Sequence, residues 1–529
     1  MTISDSFHVY DTTLRDGAQQ EGLNLSVHDK LTIARHLDDL GVGFIEGGWP
    51  GANPKDTEFF RLAQSELALK NATFVAFGAT RRAGVKAADD ALLRALVDSG
   101  APVVTLVAKS HDRHVDLALK TSLDENLAMI KDSIEYLRAN NRRVFLDAEH
   151  FFDGYRSNPH YALEVVRTAA EAGADVVALC DTNGGMLPDE LADVVHEILT
   201  KSSARLGIHC HNDTGCAIAN SLAAVAAGAT HVQGTLNGYG ERTGNADLVS
   251  IIANLQLKKH QQVLPEGKLE EAFRISHAVA EVTNVAPSAR QPYVGVSAFA
   301  HKAGLHASAI KVDPALYQHE DPESVGNDMR MLVSEMAGRA SIELKSQELG
   351  IDLGKDKDVV SRIVDRVKSM EARGYTFEAA DASFELLLRE ELDGKRPQFF
   401  TLDSWETTVD QNGDGTVTSR AHVVIGARGE RIESEGTGNG PVNAIDNALR
   451  KGLEKIYPEL NQLELTDYKV RILEGRLGTG AVTRVLVETS DGKGEWSTVG
   501  VHENVIAASA MALEDAVTYG LLRRNQKPE

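Results

Sequence analysis

Residues 7 to about 260 repeat one rhythm eight times: a short β-rich run, then an amphipathic stretch of helical period. The runs are 8–12, 43–47, 73–77, 103–107, 143–148, 176–180, 206–211 and 231–234. The intervening helical stretches include 31–40, 123–140, 161–172 and 188–199. Eight strands alternating with eight helices in about 250 residues predict an α/β fold, a (β/α)8 TIM barrel. An open doubly wound sheet is the competing arrangement. It has fewer strands, and no Gly-rich dinucleotide fingerprint follows the first strand here.

The rhythm stops after residue 264. Residues 265–395 read as helical linker subdomains, with helices over 268–282, 324–338, 342–349 and 358–373 and a charged linker over 386–396 before Pro397. Residues 396–529 read as a C-terminal α+β regulatory domain with an internal repeat. Its first unit has strands over 399–429 and 431–435 and a helix over 442–456; its second has strands over 467–489 and 494–499 and a helix over 505–522. The domains are therefore 1–264, 265–395 and 396–529.

Seventy-seven acidic and 55 basic side chains give a net charge of −22. That field repels phosphate backbones, no Lys/Arg run interrupts it, and aromatics at 5% give little stacking surface, which excludes nucleic acid as a partner. An anionic small substrate then needs a local Arg or a metal. No uninterrupted apolar run of about 18 residues and no basic-then-apolar leader is present, so neither a membrane span nor a secretory signal is expected. Three cysteines, Cys180, Cys210 and Cys216, suit a reducing cytoplasm.

In such a barrel the chemistry sits at the C-terminal strand ends. Strand 1 delivers Arg15 and Asp16, strand 2 Glu46, strand 5 Glu149 and His150, and strand 6 Asp181, Thr182 and Asn183. Strand 7 delivers His209, His211, Asn212 and Asp213, and the loop after strand 8 delivers Asn245. Strand side chains alternate, so His209 and His211 share a face and Cys210 does not. Two imidazoles with the carboxylate of Asp16, two strands away, make a divalent-metal set with open positions, and Asn245 is nearby. The competing reading is a pair of hydrogen-bonded rim histidines. Arg15 is expected to bridge to Glu46 and still aim donors at a ketone or carboxylate oxygen. Glu149 is either a rim carboxylate paired with an Arg or, in an otherwise apolar run, a candidate base with a raised pKa. Thr182 either caps the following helix or contacts substrate.

Two motifs carry less. Asp410, Asn412, Asp414 and Gly415 resemble the start of a calcium loop, but the twelfth position is Ala421, so a hairpin turn is expected. The glycines of 436–440 precede a helix and could cradle an anion, or form a plain strand-to-helix turn.

The segments DTTLRDGAQQEG, HCHND, GNADL and FAHKAGLHASAI resemble those of the α-isopropylmalate synthase/homocitrate synthase/citramalate synthase family, over nearly the whole chain. EGGWPGANPKD, DAEHFFDGY and NGYGERTGNADL look most like its citramalate synthase branch. The resemblance implies an acetyl-CoA-dependent Claisen condensation. It places metal ligands at Asp16, His209 and His211 with Asn245 as a fourth contact, for Mn²⁺, Mg²⁺ or Zn²⁺. It implies keto-acid contacts at Arg15 and Thr182, beside Glu46, and a catalytic carboxylate at Glu149. It matches an essential histidine to His306, with Tyr317 following and His301 as a second candidate. It further implies a homodimer with composite sites and a C-terminal domain that senses a pathway end-product amino acid. For the citramalate branch, the substrates are pyruvate and acetyl-CoA and the effector is isoleucine. A lyase cleaving carbon–carbon bonds on the same barrel, an isopropylmalate or homocitrate synthase, and a sensor without activity are the rival readings. The C-terminal repeat argues against the first, and the full ligand set against the last.

Overall fold

The computed structural model describes residues 5–354, 357–473, 475–524 and 528; parts of the expected domains that fall elsewhere lie outside the described residues. The chain divides into two compact units, Met1–Phe299 with Glu320–Asp328, and Ala300–His319 with Met329–Glu529.

In the first unit eight parallel strands close a barrel in chain order. They are β1 (His8–Asp11), β2 (Phe44–Glu46), β3 (Thr73–Ala79), β4 (Val103–Lys109), β5 (Arg143–Glu149), β6 (Val176–Asp181), β7 (Leu206–Cys210) and β8 (His231–Gly234). β8 pairs with β1, which excludes the open sheet. These are the eight strands expected, with ends within two residues. The helices start and stop where the sequence dictates. Ser26 and Asp29 cap each other's backbone N–H at the start of Val27–Leu40. That helix ends at Gly41, whose φ of +89° turns its N–H back onto the carbonyls of Leu37 and Asp38. Pro188, Asp189 and Glu190 open the helix Pro188–Lys201, where a missing N–H costs nothing and negative charge meets the helix dipole.

The barrel interior is layered. Tyr10, Phe44, Val75, Val103, Phe145 and Val176 form an apolar layer. At the N-terminal end, His8 and His231 face each other with Nδ1 atoms 3.2 Å apart, and His8 Nε2 lies 2.8 Å from Asp5 Oδ1. Asp5 accepts from His8 Nε2–H, so the other nitrogen of neutral His8 accepts from His231 Nδ1–H. Burial beside Phe44 and Phe145 outweighs the bond to Asp5 and, with Arg205 and Arg143, pushes the His8 pKa down to about 4. At the opposite end the inward positions become polar, and the candidate site begins.

In the second unit the helices Arg339–Glu348, Lys357–Ala372 and Asp381–Asp393 share a core that includes Ile342, Ile363, Val367, Phe384 and Leu387. Two expectations fail in the region between the barrel and the C-terminal domain. No helix spans 324–338: a 3₁₀ turn, Pro322–Val325, stops at Gly326, where φ is +72°. Asn327 Nδ2 then donates to the carbonyls of Tyr293 and Gly295 at 2.9 and 3.0 Å, a side-chain alternative to helix bonding. The chain continues into β10 (Arg330–Met331), which pairs with β9 (Ala300–His301). Nor are residues 386–396 a linker. The helix Asp381–Asp393 continues through 386–393 and buries Leu386, Leu387 and Leu388. Glu390 and Glu391 pair with Arg366 at 2.7 and 2.6 Å, and Arg396, just past the helix, binds Asp515 at 2.5 Å.

The C-terminal repeat is three strands and a helix, twice. β11 (Thr401–Gln411), β12 (Val417–Ala427) and β13 (Glu430–Gly438) lead to the helix Pro441–Leu453. β14 (Glu464–Ile472), β15 (Thr483–Ser490) and β16 (Glu495–His502) lead to Val505–Arg523. The suspected calcium loop is the β11–β12 hairpin turn, closed by Asn412 N–H on Thr416 O. Gly436 faces its own helix, not a ligand: a Cβ there would meet Ala444 O at 2.5 Å and Ala448 N at 2.4 Å. In the second half a Cβ at Gly500 would meet Ala508 O at 1.9 Å and Ala512 N at 3.0 Å. Each residue of the second set lies 64 positions after its counterpart. By contrast, Gly440, Gly478 and Gly480 face open space.

Val505–Arg523 is, among the described residues, long and apolar enough to cross a membrane, a feature the sequence pattern hid because Glu514 and Asp515 interrupt it. It is mostly buried within its own unit, its Asp515 paired with Arg396.

Candidate active site

The C-terminal ends of the strands enclose a cavity of about 660 Å³. Asp16 sits just beyond β1, where the backbone N–H groups of Arg15, Asp16 and Gly17 all point at Thr12 O and tighten the turn. His209 is on β7 and His211 just past it, on the same face. Asp16 Oδ2 lies 3.1 Å from His209 Nε2 and 3.9 Å from His211 Nε2, and the two Nε2 atoms are 3.3 Å apart. All three side chains are buried. Burial alone would raise the Asp16 carboxyl, but the Arg15 charge and the His209 bond hold it well below the usual range. Burial opposes a charged His209, yet the bond to Asp16 carries its pKa above the ordinary value. His211, buried and next to His209, is pushed down to about 4.

One carboxylate oxygen and two imidazole nitrogens converge on one point, a donor set that suits a divalent metal. Two further observations fit that ion. Asn245 Oδ1 is buried without a hydrogen-bond partner, while its Nδ2 is fixed at 3.0 Å to Tyr239 O. Asn245 also bridges His211 through the backbone.

Arg15 is clamped. Its Nε donates to Glu46 Oε1 at 2.5 Å, its Nη1 lies 3.4 Å from Asp16 Oδ2, and its guanidinium covers the Phe77 ring at 3.9 Å. Glu46 is wholly buried, with Tyr10 O–H donating to Oε2 at 2.5 Å. The expected Arg15–Glu46 bridge is therefore present, and it leaves Arg15 lining the cavity. Glu149 does not stand alone in an apolar run: its carboxylate pairs with the Lys109 ammonium. Thr182 Oγ1 accepts from His150 N–H at 2.8 Å, bracing the start of the helix Phe151–Ser157, and Thr182 still lines the cavity.

His306 and Tyr317 belong to the second unit, where their rings stack at 4.1 Å; His301 lies 6.1 Å from His306. The same segment exposes Leu305, Val312 and Leu316.

Three residues that line the cavity, Asp147, Lys109 and Arg242, and the buried Gln233 behind it are not singled out by the sequence reading. Asp147 lies two positions before Glu149 and so on its face of β5. Burial, then the Glu46 charge, raises its pKa to about 6. Gln233, on β8, donates to Asp147 Oδ1 at 2.7 Å. Lys109 ends β4, and Arg242 binds Asp213 at 2.8 Å. Strand alternation would have placed Asp147, Gln233 and Lys109 inward, because each shares parity with an inward neighbour on its strand.

Residues 6–279 match the HMGL-like family, 293–375 the homocitrate synthase post-HMGL domain-like family, and 378–521 the LeuA allosteric (dimerisation) domain. The chain is 68% identical to an (R)-citramalate synthase of Streptomyces coelicolor, over 99% of this chain and 98% of that one. It is 47% identical to the (R)-citramalate synthase of Aquifex aeolicus, over 99% of both. Identity to the 2-isopropylmalate synthase of Methanocaldococcus jannaschii is 32%, over 99% of this chain and 97% of that one.

Proposed function

The chain belongs to the (R)-citramalate synthase family, and on that premise we propose how its residues carry the reaction. It condenses acetyl-CoA with pyruvate and water to give (R)-citramalate and CoA. Asp16, His209 and His211 hold a divalent ion, Mn²⁺, Mg²⁺ or Zn²⁺, with Asn245 Oδ1 as a further donor. Bound there, such an ion would supply Lewis-acid polarisation of the 2-oxo acid's ketone.

Arg15, fixed by Glu46, aims its remaining N–H donors where negative charge grows on the ketone oxygen. Thr182 donates its hydroxyl proton to the substrate carboxylate, its oxygen being already engaged by His150. Glu149, held by Lys109 and acting with His306 and Tyr317, removes a methyl proton from the acetyl group. That carbon bonds to the ketone carbon, and water then cleaves the thioester, releasing CoA. A second copy of the chain supplies His306 and Tyr317, which makes the enzyme a homodimer with composite sites; the exposed Leu305, Val312 and Leu316 support this.

The C-terminal part carries an allosteric and dimerisation domain over 378–521. We assign isoleucine as its effector, isoleucine biosynthesis as its pathway and the cytoplasm as its location, where three unpaired cysteines are at home. The domains proposed from sequence are 1–264, 265–395 and 396–529; within the second, 265–299 pack into the barrel core while the helices of 339–393 share a core of their own.

The observation that carries this reading is the convergence of Asp16, His209 and His211 beside a clamped Arg15. Thiol release from acetyl-CoA, measured with pyruvate, 2-oxoisovalerate and 2-oxoglutarate, tests it. Pyruvate should be turned over best, and release with 2-oxoisovalerate alone would overturn the assignment.

A further inference from the structure

Behind the three ligands lies a hydrogen-bonded row that the reaction does not use directly. His209 Nδ1 is 2.9 Å from Gln233 Oε1, and Gln233 Nε2 donates to Asp147 Oδ1 at 2.7 Å. All three side chains are buried, and they come from β7, β8 and β5. The row therefore crosses the barrel interior instead of following neighbouring strands. We propose that Asp147, acting through Gln233, is a positioning residue that fixes the tautomer and ring orientation of His209 for metal binding.

The polarity of the row follows from its end. An ionised carboxylate only accepts hydrogen bonds, so it selects the N–H₂ end of the Gln233 amide. The amide oxygen must then face His209, and an oxygen at that position requires Nδ1–H. Nε2 is left with its lone pair, directed at Asp16 Oδ2 and His211 Nε2, where the ion is proposed to sit. Without the carboxylate, either end of the amide can face the imidazole. Turned over, it would donate to Nδ1 and place the proton on Nε2, against the ion. The rival role is mere satisfaction of buried polar groups, which would matter for folding but not for the ion. The inference rests on the metal reading above.

The test is Mn²⁺ binding by calorimetry to the full-length, metal-free chain, with thermal unfolding recorded alongside. Gln233→Leu and Asp147→Asn should each weaken Mn²⁺ by about 10- to 100-fold. The pair Asp147→Asn with Gln233→Glu restores the polarity: the new carboxylate accepts from His209 Nδ1–H and from the new amide. It should recover roughly tenfold or more of the lost affinity, which a packing role does not predict. Should both single variants bind Mn²⁺ as the wild type does, or the double variant bind no tighter than the weaker single, the proposal is overturned. A lowered unfolding temperature with unchanged Mn²⁺ affinity would overturn it in favour of packing. If the wild type itself bound no Mn²⁺, the metal reading would fall, and this inference with it.

Discussion

Acidification should weaken the barrel through His8. The ring is buried beside Phe44 and Phe145, and its pKa drops from 6.5 to about 4 on folding. A group with a depressed folded-state pKa contributes stability above its unfolded pKa. That contribution disappears as pH falls through the window from about 6.5 to 4. At pH 5 the unfolded chain carries the proton at this site almost fully, and the folded chain about one-tenth of the time. The difference is about 2 kcal/mol, near thirtyfold in the folding equilibrium, and it grows to about 3 kcal/mol below pH 4. Urea unfolding at pH 7 and pH 5, of the wild type and of His8→Gln, isolates the effect. Glutamine keeps a donor for Asp5 and an acceptor for His231 but gains no charge. Groups that titrate in both proteins, such as Asp147 and Asp11, act in the opposite sense and cancel in the comparison. With Trp405→Phe and Trp496→Phe in both proteins, Trp49 is the remaining tryptophan, and its fluorescence reports on the first unit, which also contains the histidine pair. The wild type should lose about 2 kcal/mol more than the variant between the two pH values. Equal losses would refute the reasoning.

Chelation with EDTA should abolish turnover and Mn²⁺, Mg²⁺ or Zn²⁺ restore it; Asp16→Ala and His209→Ala should lose the ion with the circular dichroism unchanged, and full activity in either would remove the ligand assignment. Arg15→Lys should lower kcat by about 100-fold or more, because an ammonium cannot hold Glu46 and still present fixed N–H donors to the substrate; a rate near wild type in steady-state assays would count against Arg15. Pyruvate should be preferred over 2-oxobutyrate by roughly tenfold or more in kcat/KM, the discrimination one methylene allows. Isoleucine should inhibit the full chain partially, through a coupling of about 1–3 kcal/mol; calorimetry with isoleucine, leucine and valine showing no heat for any would leave the C-terminal domain only its dimerising role.

The barrel was legible because its signal is periodic: alternation in the strands and the 3.6-residue period in the helices survive without tertiary information. The cluster was legible because His209 and His211 are two apart at the end of β7, and Asp16 lies in the turn that follows β1. The connecting region was not. At 324–338 the deciding contacts are Asn327 with Tyr293 and Gly295, more than thirty residues back, and no local pattern encodes them. At 386–396 the charges looked solvated because their partners, Arg366 and Asp515, are distant in sequence. Glu149 misled for the same reason: Lys109 is forty residues away, on the adjacent strand. Asp147 is legible only through alternation with Glu149, because its partner Gln233 is 86 residues away, on β8.

The paired glycines of the C-terminal domain set a length rule. Gly436 meets residues 8 and 12 positions further on, and Gly500 does the same in the other half. Between each glycine and the first helix residue it meets, the two halves read differently, TGNGPVN and VHENVIA, with the turns at 439–440 and 503–504. Spacing is thus held while chemistry varies. One inserted residue would rotate the helix by about 100° and bring another side chain over the glycine, whereas a substitution within the turn leaves that contact untouched. The two turns are therefore places where each half can diverge in what it recognises without disturbing how its helix lies on its sheet, and length variants there should be far rarer than sequence variants.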